Sequence, residues 1–526
     1  MQDIKGISHE FEKFNDMFFK LKGDYRFSRL GKPFETENSK YFLDSGTGKV
    51  FQVSNNLYNV LECLWNTDKF EALFELELSS EELLDSLNEL EEVVKNENIL
   101  QMPPITTMYC NNGEKRNQNI SDTQMKHLAI EMTERCNLRC KYCIYNEGEC
   151  GFRTFGKKDI TFDTVKKAID LMALSTEEEV YISFYGGEPL LKFDLIKQSI
   201  EYCNEKLSNK KIAYNMTTNA TLITEEIANY LAGLENYYTT ISLDGPELIH
   251  NKNRVFADGT GSFEKTIEGL RNLVKAEGEN ASERIHFNIV LDDTSKDTFE
   301  EIQNFFTSSD YIPKNPHITT SYIESAPRDF EYLGVGTEED RELNEYIKNK
   351  VDPLTDWNIE KIENKLSSVD KSNLVSKEFI DKGLDSVHRR MLIDKPSNEY
   401  YMNGCCVPGG RRLYLTVNGD FAVCERIGPS PFIGNVDEGI NFENVKKYYI
   451  DDFVNEVIKY CNDCWAVHMC KLCYTNCYNE EGVHIPYRHL QCIMQRNSIY
   501  KDLVLYHELL EKDPQSLSYL NDIKYS

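Results

Sequence analysis

The stretch HLAIEMTERCNLRCKYC, residues 127–143, decides the fold. Its first seven residues read as a strand. The remaining ten, Glu134-Arg135-Cys136-Asn137-Leu138-Arg139-Cys140-Lys141-Tyr142-Cys143, place three thiols in the loop that follows. Five further strands, VYISFY, KIAYNM, YTTISL, RIHFNIV and HITTSYI, run on to Ile323. Helical segments lie between them, such as Phe162 to Met172, with Val165, Ala168, Ile169 and Met172 on one face behind the cap Thr161. Strand–helix alternation gives a parallel sheet with helices outside, and six units curl it into a partial (β/α)6 barrel, an α/β fold. Chemistry in such folds sits at the carboxyl ends of the strands, where this loop lies.

The whole chain, 526 residues, is long enough for two to four compact units. Hydrophobic residues at 40% and charged residues at 28% describe a folded protein rather than a disordered one. A net charge of −28, from 59 basic and 87 acidic side chains, repels phosphate backbones and anionic lipid, so neither nucleic acid nor membrane is an expected partner. No run approaches the ~20 apolar residues of a membrane span, and the opening MQDIKGISHE lacks a signal-peptide pattern, so a cytoplasmic location is expected. In that compartment sixteen cysteines point to metal ligation or catalysis rather than disulfides.

Residues 1–102 read as a small winged-helix unit: strands YFLD and KVFQV around the turn Ser45-Gly46-Thr47-Gly48, a helix from Leu57 to Trp65, a second helix from Leu83 to Val94 capped at Ser79, and a closing strand ILQM. Winged helices commonly read DNA, but the Glu and Asp content of this one favours a peptide-binding or structural role. Residues 103–123 form a polar linker, 124–335 the barrel, 336–400 a charged helical bridge, and 401–526 a Cys-, Gly- and Pro-rich domain that needs metal to hold it together, with a final helix.

Cys63, Cys110, Cys150 and Cys203 are scattered and read as buried or inert thiols. Cys136, Cys140 and Cys143 are spaced C-x3-C-x2-C. Three cysteines hold three irons of a cubane and leave the fourth iron to bind a small molecule; a zinc site would need a fourth ligand, which Cys150 could supply. The loop resembles that of the radical S-adenosylmethionine superfamily, C-x3-C-x-aromatic-C, with Tyr142 in the aromatic place. Gly186-Gly187-Glu188-Pro189, Thr218-Asn219-Ala220-Thr221 and Ser242-Leu243-Asp244-Gly245 with His250 and Arg254 follow at the ends of the next three strands. The resemblance implies that Gly186, Gly187 and Glu188 receive the methionine amino group, Ser242 the adenosine and Arg254 the carboxylate, with Tyr142 and Asn219 also lining the cofactor. Glycines would let backbone carbonyls approach an ammonium, and guanidinium is the natural partner of a carboxylate. It further implies a [4Fe-4S] cluster and S-adenosyl-L-methionine, whose reductive cleavage yields a hydrogen-abstracting 5′-deoxyadenosyl radical.

The second group, Cys405, Cys406, Cys424, Cys461, Cys464, Cys470, Cys473, Cys477 and Cys492, resembles the SPASM domain, which binds one or two auxiliary [4Fe-4S] clusters. By that likeness Cys461, Cys464, Cys470 and Cys492 serve one cluster, and Cys424, Cys477 and one of Cys405 or Cys406 the other, leaving an open iron. Cys473 is extra, and either Cys470 or Cys473 fits the spacing. A zinc ribbon is the alternative for Cys461 to Cys477. The amino-terminal unit resembles the PqqD-like recognition element of peptide maturases, which adds a leader peptide as a sheet-edge strand.

Together these likenesses imply a maturase of a ribosomally made precursor peptide that forms Cys-to-carbon thioether crosslinks, fed by a flavodoxin- or ferredoxin-type reductant. Carbon–carbon crosslinking and epimerisation stand as alternatives. So does anaerobic sulfatase-type maturation of Cys or Ser to formylglycine, for which Glu425 occupies the proton-acceptor position after Cys424.

Overall fold

A computed structural model describes residues 4–110, 125–143, 145, 155–292, 295–322, 382–402, 404–406, 408–410, 412–479, 481–484 and 486–522. Cys150, most of the expected linker and most of the bridge lie outside the described residues.

The amino-terminal unit is a three-stranded antiparallel sheet of β1 (Gly31–Glu35), β2 (Lys40–Asp44) and β3 (Val50–Val53), in that order. Helices Asn55–Thr67 and Ser80–Glu97 pack on one of its faces. Ser79 and Glu82 close the expected capping box. A helix at Ile4–Lys22, absent from the sequence reading, joins them through Phe11, Phe14 and Phe18, spaced for one helical face. The expected strand ILQM does not form. Asn98 and Leu100 both take left-handed backbone at φ 56°, and the Leu100 N–H donates to the buried Asp44 carboxylate at 2.7 Å instead of joining a ladder. Burial raises the Asp44 pKa, with bonds from Leu100 and Thr47 pulling the other way.

The other face of this sheet is also covered. Phe34, Tyr41 and Leu43 pack with Trp465, Met469, Leu503 and Leu509 of the carboxy-terminal region. Arg29, 1% exposed, donates Nε to the Asn462 carbonyl (2.7 Å), Nη1 to Met102 (2.8 Å) and Nη2 to Pro103 (2.9 Å). Three carbonyls on a buried guanidinium offset its desolvation and fix residues 102–103 and 462 together. The amino-terminal unit is therefore built into the protein rather than tethered to it.

Within the expected linker, β4 (Thr107–Cys110) pairs in parallel with β11 (Glu399–Met402), which begins in the expected bridge. The six expected barrel strands are β5 (His127–Glu131), β6 (Glu179–Tyr185), β7 (Lys211–Thr218), β8 (Tyr237–Ser242), β9 (Ile285–Leu291) and β10 (His317–Tyr322), all parallel neighbours. Helix Phe162–Met172 starts where Thr161 accepts the Thr164 N–H at 3.1 Å. Val180, Ile182 and Phe184 on β6, Met216 on β7 and Ile241 on β8 are fully buried under the helices. The alternate positions, Ser183, Asn215, Thr217 and Thr240, are half-exposed and polar. Period-2 alternation thus leaves an open barrel with a polar inner wall.

This sheet does not stop at β5. β12 (Leu413–Leu415) pairs with β5 in parallel, and β13 (Phe421–Ala422) follows antiparallel, so the cysteine-rich region begins as an extension of the barrel wall. Among the described residues, no helix is long and apolar enough to cross a membrane.

Candidate active site

The cysteine loop after β5 is held on both sides by backbone. Toward β6, Met132 N–H donates to the Tyr185 carbonyl (2.9 Å), Gly187 N–H to Thr133 (2.8 Å) and Glu188 N–H to Arg135 (2.9 Å). On the opposite side Arg139 N–H donates to Val255 (2.7 Å), Lys141 N–H to Asn253 (3.0 Å), and Leu138 bridges Phe256. The segment carrying Arg254 is in this way stitched to the loop carrying the cysteines.

These contacts give the glycines and Glu188 a reason different from the expected one. Gly186 sits at φ +133°, and a Cβ on Gly187 would come 2.1 Å from the Arg135 carbonyl oxygen. The pair is small because the cysteine loop presses on it. Glu188 is 1% exposed and its carboxylate is occupied. Oε1 accepts from the Leu190 N–H (3.0 Å) and the Thr218 hydroxyl (2.8 Å), and Oε2 from the Asn219 N–H (2.9 Å). It ties the ends of β6 and β7 together, and burial pushes its pKa up to about 7.

Asn219 turns its side chain to the cysteine loop. Nδ2 donates to Asn137 Oδ1 at 2.9 Å and lies 4.0 Å from Cys136 Sγ, while Asn137 Nδ2 donates to Thr221 at 2.8 Å. Ala220 follows at φ +62°, fully buried, where a side chain is strained.

The three thiols influence one another. Burial pushes Cys136 up to about 12, with Glu188, Cys140 and Cys143 adding to the shift, and Cys143 up to about 11, with Cys140 contributing. Burial also raises Cys140, which Arg254 opposes. A cationic centre would relieve this crowding, and three soft thiolates on one loop suit an iron–sulfur cluster. Among the described residues no three His, Cys, Asp or Glu side chains converge as one metal ion requires. A cubane instead spreads its thiolates over separate irons.

Asp244, unremarked in the sequence reading except as part of SLDG, is the hub on the other side. It is 1% exposed; Oδ2 accepts from Arg254 Nε (3.0 Å) and from the Tyr142 hydroxyl (2.5 Å), and Oδ1 from the Val290 N–H (3.0 Å). The Arg254 guanidinium lies 5.4 Å from the Tyr142 ring centre. Behind it His250, fully buried, accepts the Asp244 N–H at Nδ1 and donates from Nε2 to Ser262 Oγ, which donates to the Arg254 carbonyl. Burial and Arg254 lower His250 to about 3, so the ring is neutral. Ser242 ends β8 opposite Asn288. Arg254, Tyr142 and the three cysteines are thus brought together, Asn219 touches the same loop, and Glu188 is turned to structural use.

In the carboxy-terminal region Cys464 is pushed up to about 12 by burial, with Cys470 and Cys492 adding to it; its N–H donates to the Cys461 carbonyl. Burial raises the pKa of Tyr474, with Cys424, Cys405, Cys406 and Cys473 adding to it, and Cys477 follows that residue by one 3-10 turn. Glu425 pairs through Oε1 with Arg412, and its Oε2 is buried without a hydrogen-bond partner among the described residues. Arg412 Nε donates to His127 Nδ1 (3.2 Å), and His127 Nε2 meets Ser183 Oγ on the inner wall (2.6 Å). Arg412 and His127 carried no sequence signal, because their meeting depends on β12 joining β5.

Residues 130–306 match the Radical SAM superfamily model. The chain is 42% identical over 146 residues to an uncharacterized protein of Methanocaldococcus jannaschii; the match spans 28% of this chain and about half, 48%, of that relative. It is 25% identical over 456 residues to the radical SAM cyclopropyl synthase TigE of Paramaledivibacter caminithermalis, covering 82% of this chain and 86% of TigE. A cysteine-type anaerobic sulfatase-maturating enzyme of Clostridium novyi is 25% identical over 382 residues, 69% of this chain and 91% of the relative. Among solved structures, anSMEcpe with bound AdoMet and Kp18Cys peptide aligns with TM-score 0.52 at 20% identity, covering 76% of this chain and all of that one, a likeness of fold.

Proposed function

We propose that this chain, an enzyme with a radical SAM domain over residues 130–306, modifies a ribosomally made precursor peptide by abstracting hydrogen from its core and forming a crosslink within it. The gathering of Cys136, Cys140 and Cys143 beside Arg254, Tyr142 and Asn219, at the open end of a polar-walled barrel, carries this reading. When bound, a [4Fe-4S] cluster and S-adenosyl-L-methionine supply the 5′-deoxyadenosyl radical. The chain's own part is placement. Cys136, Cys140 and Cys143 hold the cluster, Arg254 offers a guanidinium already oriented by Asp244, and the inner wall orients the peptide and excludes water. A flavodoxin- or ferredoxin-type donor supplies the electron.

The amino-terminal sheet supports leader binding of the PqqD-like kind. β1 is covered by the helix Pro486–Lys512, whereas β3 has no strand partner on its outer side among the described residues and is only part-buried. A leader strand would add there. The Cys-rich region is read as a SPASM domain with auxiliary clusters.

Thioether formation is the linkage expected from the sequence; similarity to TigE across most of the chain favours carbon–carbon bond formation as the second reading. Co-expression with a candidate precursor peptide, followed by mass spectrometry with and without thiol alkylation, separates them. Both crosslinks remove two hydrogens, and only the thioether also removes an alkylatable thiol. Replacing Cys136, Cys140 and Cys143 by Ala should abolish 5′-deoxyadenosine release, and turnover that survives overturns the radical reading. Protection of the amides of residues 50–53 from hydrogen exchange on adding the precursor tests the leader site; unchanged exchange refutes it.

A further inference from the structure

The inner faces of β12, β5 and β6 carry three side chains whose hydrogen bonds run in one direction. The register Leu413↔Leu128, continued back by one, sets Arg412 beside His127, and Ala129↔Ser183 sets Ser183 on the next strand, on the same face. Arg412 is paired with Glu425 through Nη1 and donates from Nε to His127 Nδ1 at 3.2 Å. A guanidinium can only donate, so Nδ1 is the acceptor nitrogen of a neutral ring and the ring proton lies on Nε2. His127 Nε2 therefore donates to Ser183 Oγ, 2.6 Å away. Ser183 accepts that bond and keeps its own proton to give. Its hydroxyl meets no other hydrogen-bond partner among the described residues, and the residue is half-buried on the inner wall. Next to it on β7, Asn215 donates Nδ2 to Thr240 Oγ1 at 3.3 Å, a second wall hydroxyl held in the same way. Ser183 lies three residues before Gly186, so roughly 10 Å below the cysteine loop along the strand. Arg412 and Glu425 cancel in charge, which leaves Ser183 a neutral donor, suited to an amide carbonyl more than to a carboxylate.

We propose that Ser183 donates a hydrogen bond to a backbone carbonyl of the core peptide inside the barrel, and that Arg412 and His127 are positioning residues that keep its proton turned there. The proposal deepens the peptide reading above and rests on it. The chain carries direction rather than protons, because Arg412 does not give one up and no relay can pass through it. What the arrangement contributes is selection: a substrate group with no acceptor at this place leaves the Ser183 proton unpaired, whereas a carbonyl satisfies it.

The test reverses the chain without dismantling it. His127→Gln brings an amide N–H close to the place of Nε2 and keeps the donation to Ser183. His127→Glu has similar reach and pairs with Arg412, but it can only accept, so the Ser183 proton is drawn back into the wall. Both variants, together with Ser183→Ala and Ser183→Thr, are made in the full chain and reconstituted anaerobically with iron and sulfide. Each is given S-adenosyl-L-methionine, dithionite and a synthetic candidate precursor peptide containing leader and core. Crosslinked product per 5′-deoxyadenosine and the KM for the peptide are measured, with unfolding midpoints alongside. His127→Gln and Ser183→Thr should stay within about twofold of the parent, while His127→Glu and Ser183→Ala should lose about three- to tenfold in product per 5′-deoxyadenosine, the worth of one neutral hydrogen bond. His127→Gln and His127→Glu falling equally, in step with their unfolding midpoints, would show a structural role and overturn the proposal. His127→Glu matching the parent overturns it as well. Should both His127 variants fail to fold, the Ser183 pair decides: equal product ratios from Ala and Thr refute it. A parent that releases 5′-deoxyadenosine and leaves the peptide unmodified sinks the peptide reading and this one with it, whereas a modified peptide indifferent to these variants sinks only this inference.

Discussion

Arg254 Nε donates to Asp244 Oδ2 at 3.0 Å, and the two side chains, 6% and 1% exposed, face the cysteine loop through Tyr142 and Cys140. A buried guanidinium with a carboxylate on one edge is held in orientation while its other edge stays toward the loop. Asp244→Asn removes the counter-charge and leaves Arg254 buried. The expected cost is about 3–5 kcal/mol, as for other buried pairs broken on one side. Thermal unfolding should report that loss, and 5′-deoxyadenosine release should fall with it; unchanged values would show that Asp244 does not position Arg254.

The approach of the cysteine loop to Gly187 is equally specific. A methyl group at Gly187 meets the Arg135 carbonyl oxygen at 2.1 Å and the Cys136 nitrogen at 3.0 Å, both backbone atoms that cannot rotate away. Gly187→Ala should displace the loop at a cost of about 1–3 kcal/mol. Iron retained at the first cluster should drop, while iron at the auxiliary site should persist, as read by iron assay and absorption spectra of anaerobically reconstituted protein.

His250 sets a pH dependence whose sign is fixed by its environment. Its pKa falls from the ordinary 6.5 to about 3 in the folded protein through burial and Arg254, with Asp244 opposing. The unfolded chain therefore binds the proton first as pH falls below 6.5. The neutral ring's contribution is fully present above that pH and shrinks toward 3, at about 1.4 kcal/mol per pH unit. Between pH 7 and 5 the stability advantage of the wild type over His250→Gln should narrow. A pH-independent difference in unfolding midpoint would mean that the ring binds its proton equally well in the folded and unfolded states.

The barrel was legible because its signals are local. Period-2 strands, a cap such as Thr161 and three cysteines after the first strand all lie within a few residues of one another. Arg254 and Tyr142 were found by motif order, and their meeting over Asp244 was not, because a short carboxylate inside SLDG looks like an ordinary turn residue. The contact network of Arg29, the extension of the sheet by β12 and the Arg412–His127 pair join residues hundreds of positions apart, and no periodicity records such pairings. The helix Ile4–Lys22 is signalled in the sequence by the spacing of Phe11, Phe14 and Phe18 alone. Because Phe34, Tyr41, Leu43 and Arg29 are packed into the carboxy-terminal region, deletion of residues 1–102 would expose that surface; exchange at β3 is the cleaner probe of leader binding.

Ala220 occupies a left-handed position, φ +62°, that glycine fills without strain. The helix Phe263–Glu277 explains why its carbonyl is held: a Cβ on Gly269 would lie 2.0 Å from the Ala220 oxygen. Ala220→Gly should be neutral or stabilising by up to about 1 kcal/mol, the relief of strain exceeding the added freedom of the unfolded chain. Gly269→Ala should destabilise, pushing on the Asn219–Asn137 contact and hence on the loop of Cys136. Unfolding midpoints that move in the opposite order would refute the strain argument.

Glu425 discriminates between the two kinds of maturation. Its Oε1 is bound to Arg412, and Oε2 is left buried without a hydrogen-bond partner among the described residues, one position after Cys424. Glu425→Gln keeps the shape and an oxygen for Arg412 and removes the ability to take a proton. Formylglycine formation, which must shed a proton from the substrate Cys or Ser, should fall by about 10²-fold or more, the usual share of a general base. A crosslinking maturase whose bond formation does not pass through this carboxylate should lose less than about tenfold. Product per 5′-deoxyadenosine released, measured by mass spectrometry, is the informative ratio, since it falls only when radical formation continues and the proton has nowhere to go. A severe loss in that ratio would favour the sulfatase-type chemistry over crosslinking.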